Sequence, residues 1–300
     1  MIETLIENKE WLFSGAGVAL VAAIGSRLFK SNQPSTPSET KIVFETQAKQ
    51  EEKDDTDIDS EVSQIAIRFG KALELMNEGR EYSKITIAQL AQVMKLHKVS
   101  ELERVFQGKE EPTFEFVDHF SSTFGVNRNW LLEGKYSPFS NNDQTMSEPH
   151  WYLDEIKQTN PLRVFFVRED SRKARTFLLL KIDDFKYKIL HRTWHISDEV
   201  GAGGRRQLVS FYELVKSLRD KEGYGSKCGG LTLNCDDFSR LLSGDVYPGA
   251  FVEIGYREDP WWDDFTDIHH KYPIAENYES WHGKSFIKAQ TIVREKLEDE

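Results

Sequence analysis

Lys95, His97, Lys98, Ser100, Arg104 and Lys109 crowd hydrogen-bond donors and positive charge into one short stretch of the chain. Lysine and arginine neutralise phosphates, and histidine and serine donate to phosphate or base edges. Contact with a nucleic-acid backbone needs such a cluster. Glu101 and Glu103 interrupt it, and carboxylates facing a row of phosphates are repelled. Over residues 61–135, ten Lys or Arg stand against eleven Asp or Glu, a net of −1, and the whole chain carries −11. No global basic field draws this protein onto nucleic acid, so DNA contact has to be local and weak.

A second concentration of chemistry lies at YREDPWWDDFTDIHHKYP, where Asp259, Asp263, Asp264 and Asp267 meet His269, His270 and the rings of Trp261 and Trp262. Carboxylates and imidazoles are ligands for divalent metals, but no second element supplies partners at ligand spacing. An acidic, aromatic loop that packs on a partner or on the core is the stronger expectation. GAGGRR at 201–206 has neither the phosphate-loop nor the dinucleotide spacing, so it is expected to be a turn, with an anion contact through Arg205 and Arg206 as the alternative. Cys228 and Cys235 fit reduced thiols better than a metal pair or a disulfide framework. No nucleophile elbow, zinc-protease motif or kinase signature is present. The sequence therefore gives no reason to expect an enzyme, a metal or a cofactor.

The 300 residues suggest about two folded units. Residues 11–24, WLFSGAGVALVAAI, carry no charge, and Arg27 and Lys30 follow on the C-terminal side. With Arg27 reaching the headgroups, residues 1–30 are expected to form a single-pass transmembrane anchor with the body of the protein in the cytoplasm. The polar, acidic run at 31–60 buries too little apolar surface to offset its ordering entropy and is expected to be a disordered linker. Between 61 and 136 five helices are expected. Val62, Ile65, Phe69, Ala72, Leu73 and Met76 form one face of the first, and Thr86 with Gln89 forms a capping box on the second. Val99, Leu102, Val105 and Phe106 are expected inward on the third. Pro112 and Thr113 open a fourth, and Asn127 caps a fifth that Gly134 closes.

ITIAQLAQVM, FQGKEEPTFEF and FGVNRNWLLEG, in that order and spacing, resemble the Cro/C1-type helix-turn-helix family over about a quarter of the chain. The resemblance implies DNA binding, with the turn and third helix entering the major groove. It places Lys95, His97, Lys98, Ser100, Arg104 and Lys109 on the docking surface, with Lys98 and Arg104 the best candidates for direct contacts. Lys95 stands where the family usually has its turn glycine, and Phe106 where a glutamate is common.

After a linker at 137–150, residues 151–300 are expected to form an α+β sensory or partner-binding domain. LRVFFVRE, TFLLLKI and KYKILHRTW suggest three antiparallel strands. LTLNC and AFVEIGY suggest two more, with helices beginning at a Ser210–Glu213 capping box, at 236–242 and at about 285–298. The expected fold class is multidomain: a transmembrane helix, an all-α five-helix helix-turn-helix domain and a C-terminal α+β domain. The expected function is that of a bacterial, membrane-tethered regulator of transcription that binds DNA weakly. The alternatives are a membrane-anchored scaffold that uses the same helices for a protein partner or for self-association, and a bacterial defence-type effector.

Overall fold

Helix α1 (Glu61–Met76) starts where the Ser60 hydroxyl accepts from the Ser63 backbone N–H at 3.2 Å. It turns Ala66, Phe69, Ala72 and Met76 inward at helical spacing. Helices α2 (Ile87–Val93), α3 (Val99–Phe106), α4 (Phe114–Phe124) and α5 (Arg128–Glu133) wrap around it. Phe69, Phe120 and Phe124 are fully buried, and each ring contributes about 2–3 kcal/mol of burial. The Arg68 guanidinium closes the end of α5 by donating to Leu131 O at 2.9 Å and Leu132 O at 2.8 Å. This computed structural model describes residues 60–141, 145–254 and 256–299.

A short helix α6 (Tyr152–Thr159) leads into a mixed sheet, four-stranded among the described residues, in the order β3-β2-β1-β4. Strands β1 (Arg163–Glu169), β2 (Arg175–Lys181) and β3 (Tyr187–His195) form an antiparallel meander. A crossover through α7 (Ala202–Lys216) then brings β4 (Cys228–Leu233) alongside β1 in parallel. Helices α8 (Cys235–Ser243), α9 (Gly249–Val252), α10 (Trp261–Asp264), α11 (Tyr278–His282) and α12 (Lys284–Glu298) complete the unit. Phe165, Val167, Phe177 and Leu179 on one sheet face share a core with Phe69, Phe120, Phe124, Phe238 and Leu241. Val164, Phe166, Leu178 and Leu180 on the other face pack with Phe211, Leu214, Trp261, Phe286 and Val293. Helices therefore cover both sheet faces.

The fold class needs correction. The five helices do not close an all-α helix-turn-helix domain of their own. Their core runs without a break into the sheet, and the described residues from Ser60 on fall in one unit. Residues 137–150 are not a free linker where they are described. Phe139 is buried against Tyr247, and its N–H donates to Gly244 O at 2.9 Å. No described helix is long and apolar enough to cross a membrane. The anchor expected at 1–30 and the linker expected at 31–60 fall, apart from Ser60, outside the described residues.

Smaller expectations also changed. AFVEIGY is not a strand: Pro248 opens the one-turn helix α9, in which Ala250 N donates to Tyr247 O at 3.1 Å. GAGGRR is not a turn either, because α7 begins at Ala202. Ser210 lies inside α7 and accepts from the His150 N–H at 3.0 Å instead of capping. Covering the sheet requires a helix longer than the capping signal marks, and packing overrides the local preference. The three antiparallel strands, the strand through LTL, and the helices near 236–242 and 285–298 lie where the sequence places them.

Candidate nucleic-acid interface

The turn after α2, helix α3 and the residues just past it carry the six basic and polar residues. The start of α2 is fixed twice. Thr86 and Gln89 form the reciprocal capping box. The Asn77 side chain bonds both backbone groups of Ile85, accepting from N at 2.6 Å and donating to O at 2.9 Å. Leu90, Ala91, Met94, Leu102 and Val105 form the buried seam between α2 and α3. The chain reverses at Lys95, whose φ of 56° lies in the left-handed region where glycine is easiest. Leu96 N then donates to Ala91 O at 3.0 Å. Lys95 thus adopts the backbone that a turn glycine would, at a cost of about 1 kcal/mol.

Lys98 is the N-cap of α3, and no side chain caps that helix. Its first amide donors are open to an outside acceptor, and the helix dipole adds positive potential at the same end. Lys95, His97, Lys98, Ser100, Arg104 and Lys109 are all exposed. Ser100 and Arg104 lie one helical turn apart on the outer stripe of α3. Lys109 follows the C-terminal end of α3, its N–H donating to Arg104 O at 2.9 Å. Arg104 is paired with Glu110 at 3.3 Å, with both side chains about half exposed. Such a pair is worth about 0–1 kcal/mol and exchanges readily for another anion.

The geometry reassigns two residues. Val99, expected inward, is 45% exposed at the first position of α3. Its place beside Lys98 suits an apolar contact with a thymine methyl group. The carboxylate that disturbs the outer stripe is Glu103, which is exposed between Ser100 and Arg104, whereas Glu101 is half-buried in the first turn. A carboxylate in a first turn favours the helix dipole, so Glu101 has a structural use.

The acidic, aromatic stretch is consumed by packing. Asp264 lies 2.9 Å from His282 Nε2 with both side chains buried. Asp263 pairs with Arg219, and Asp267 accepts from the N–H groups of Lys271 at 2.7 Å and Tyr272 at 2.8 Å. His269 is exposed, and the His270 ring packs edge-on against Tyr278. No group of three or more His, Cys, Asp or Glu placed to hold a metal occurs among the described residues. Arg206, the alternative anion contact, is held by Glu148 at 2.9 Å. Both cysteines are free, and burial pushes the Cys228 thiol up to about 12.

Between this surface and the sheet, Glu253 gathers Arg80 from the end of α1, Lys181 at 2.8 Å and the Tyr187 hydroxyl at 2.5 Å. Burial works against its charge, but hydrogen bonds from Lys181, Tyr187 and Arg80 outweigh it and hold the carboxyl below the usual range. This network ties the helices to the sheet. Comparison of the chain with known protein families, with curated proteins and with solved structures gave no match.

Proposed function

We propose that the chain is a regulatory protein that binds duplex DNA weakly through α2, the turn and α3. The observation that carries the reading is that all six basic and polar residues are exposed along the turn and α3, from the uncapped start of the helix to just past its end. Backbone amides at a helix start, with Lys98 beside them, suit a phosphate. Ser100 and Arg104 then face the groove. Lys95, Lys98, Arg104 and Lys109 alternate with Glu103, Glu110 and Glu111, so few phosphates are neutralised. The chain should be titrated onto mixed-sequence duplex DNA across a salt series, with the sheet region included because the helices share its core. The expected slope of log K against log salt is shallow, about −2 to −3. The double variant Lys98→Ala, Arg104→Ala should lose nearly all binding and about two units of that slope. Retained affinity in this variant would reject the docking face, and no wild-type affinity at low salt would reject DNA binding.

The mixed charge of the same surface, with Val99 exposed in its middle, favours a second reading in which it holds a protein partner or another copy of the chain. That reading expects no DNA binding at low salt and a complex disturbed by the same two substitutions. The uncharged run at 11–24 supports membrane association of the full chain. Sedimentation with membranes that is lost on deleting residues 1–30 is the expected result.

A further inference from the structure

Arg168 is a cation placed where water hardly reaches. It sits one residue before the end of β1, only 7% exposed, with its guanidinium 5.8 Å from the Trp261 ring and 5.4 Å from the Phe286 ring. Its Nη2 donates to His282 O at 2.8 Å, and its buried Nε has no acceptor. Burial pulls its pKa down, while the nearby charges of Asp259 and Asp170 pull it up. A guanidinium has five donors, and leaving a buried one unmade costs free energy. Arg168 lines a pocket of about 500 Å³, within the range of small-molecule sites.

The pocket lies at the carboxyl ends of the parallel strands β1 and β4, marked by Arg168 and Thr232. From there the chain leaves β1 toward β2 on one side, and β4 is the neighbour on the other. Open sheets commonly take ligands at the carboxyl ends of their parallel strands, and β1 and β4 are the parallel pair here. The N-terminus of the 15-residue helix α12 forms another wall. Its N-cap, Gly283, has a φ of 88° and no side chain to cap the first amides, and the space where a Cβ would stand is open. The buried contact between Asp264 and His282 fixes the backbone just before this start, and the same His282 carbonyl holds Arg168. Lys284 stands beside the amides, 82% exposed on its side chain and loosely paired with Glu279 at 3.8 Å. Lys288 also lines the pocket but is held by Asp198 at 2.9 Å. Trp281, 53% exposed, stands at the rim, and the carboxylates of Asp170 and Asp259, whose charges act on Arg168, also line the pocket, Asp259 already accepting from the Thr232 hydroxyl.

We propose that this pocket binds a phosphorylated small molecule with a planar ring, of which a mononucleotide is the simplest example. The phosphate sits on the first amides of α12 beside Lys284 and Arg168. The ring lies on Trp281, and hydroxyl groups between them donate to Asp170 and Asp259. The site is independent of the DNA-binding surface and does not rest on that reading.

The test titrates the protein with adenosine 5′-monophosphate, adenosine and inorganic phosphate, followed by calorimetry and by the part of the tryptophan fluorescence change that Trp281→Ala removes. The monophosphate is expected to saturate and to bind at least about tenfold more tightly than either fragment, since each fragment keeps only part of the contacts. Lys284→Glu changes a well-exposed side chain and should weaken the monophosphate about tenfold while leaving adenosine unchanged. Trp281→Ala should bring the monophosphate down to the affinity of phosphate alone. Four results would overturn the proposal: no saturation by the monophosphate, equal binding of adenosine and the monophosphate, phosphate binding as tightly as the monophosphate, or an affinity indifferent to Lys284→Glu in a protein whose melting is unchanged.

Discussion

Two groups of cations in this molecule live under opposite conditions. Around α3, Lys98, Arg104 and Lys109 stand in water, loosely balanced by carboxylates such as Glu110. At the end of β1, Arg168 is almost fully buried between two rings with part of its hydrogen bonding unmade. Charges of the first kind cost the fold nearly nothing, so they can be rearranged freely and bind through salt-sensitive contacts. A charge of the second kind costs the fold free energy unless something pairs with it, so it is weak evidence of a role in stability.

The seam between the two regions gives the largest expected effect. Glu253→Gln leaves Arg80 and Lys181 without their counter-charge and should cost about 2–3 kcal/mol in urea unfolding. The folded pKa of Glu253 lies below its ordinary value of 4.5, so its contribution is complete above that value and is lost as the pH falls through the folded pKa. The stability gap between wild type and Glu253→Gln should therefore be constant near neutrality and close in acid. A gap that widened in acid would contradict the assignment.

Arg168→Met sharpens the contrast next. It keeps the length of the side chain and removes the buried charge, so the melting temperature should rise, by about 1–2 kcal/mol of stability. A fall of that size would make Arg168 a structural residue. Lys95→Gly, at the left-handed turn, should stabilise by about 0.5–1 kcal/mol in the same unfolding measurement. It removes one cation, so DNA affinity should drop slightly while stability rises. Glu103→Gln should have the smallest effect, a change in stability within about 0.5 kcal/mol. It should bring a few-fold gain in DNA affinity at low salt, whereas Glu101→Gln should weaken the first turn of α3 without that gain.

Much of the helical region was legible because its signals are local. The Thr86–Gln89 box, the Asn127 cap and the stop at Gly134 each involve residues a few positions apart. No local signal announces the shared core, although VFFV and FLLL are apolar at every position instead of alternating. A strand that reads this way has both faces covered, and here one cover is the five-helix region. Val99 was misassigned because helical spacing alone gives a first-turn residue an inward place, while the turn at Lys95 sets the rotation of α3 that exposes it. Arg168 was invisible as a site residue. In RVFFVRED it reads as the polar end of a strand, and the rings that enclose it come from Trp261 and Phe286, far along the chain. The parallel pairing of β1 with β4 depends on the crossover through α7, a helix whose start is expected from the sequence to be a turn.

One feature of β4 bears on how this protein behaves in a crowded solution. Its outer edge is occupied by the 256–259 segment: Gly230 N donates to Glu258 Oε1 at 2.8 Å, and Gly230 O accepts from Asp259 N at 3.2 Å and from the Tyr256 hydroxyl at 3.0 Å. The approach is so close that a Cβ on residue 230 would fall 1.9 Å from Asp259 O, so only glycine admits it. At the opposite edge, Ile189 N donates to the Asn141 side chain at 3.3 Å. Gly230 on one outer strand and Ile189 on the other thus have their edge amides engaged, which closes those positions to a foreign strand. A larger side chain at position 230 would push the 256–259 segment away and open that position of the edge.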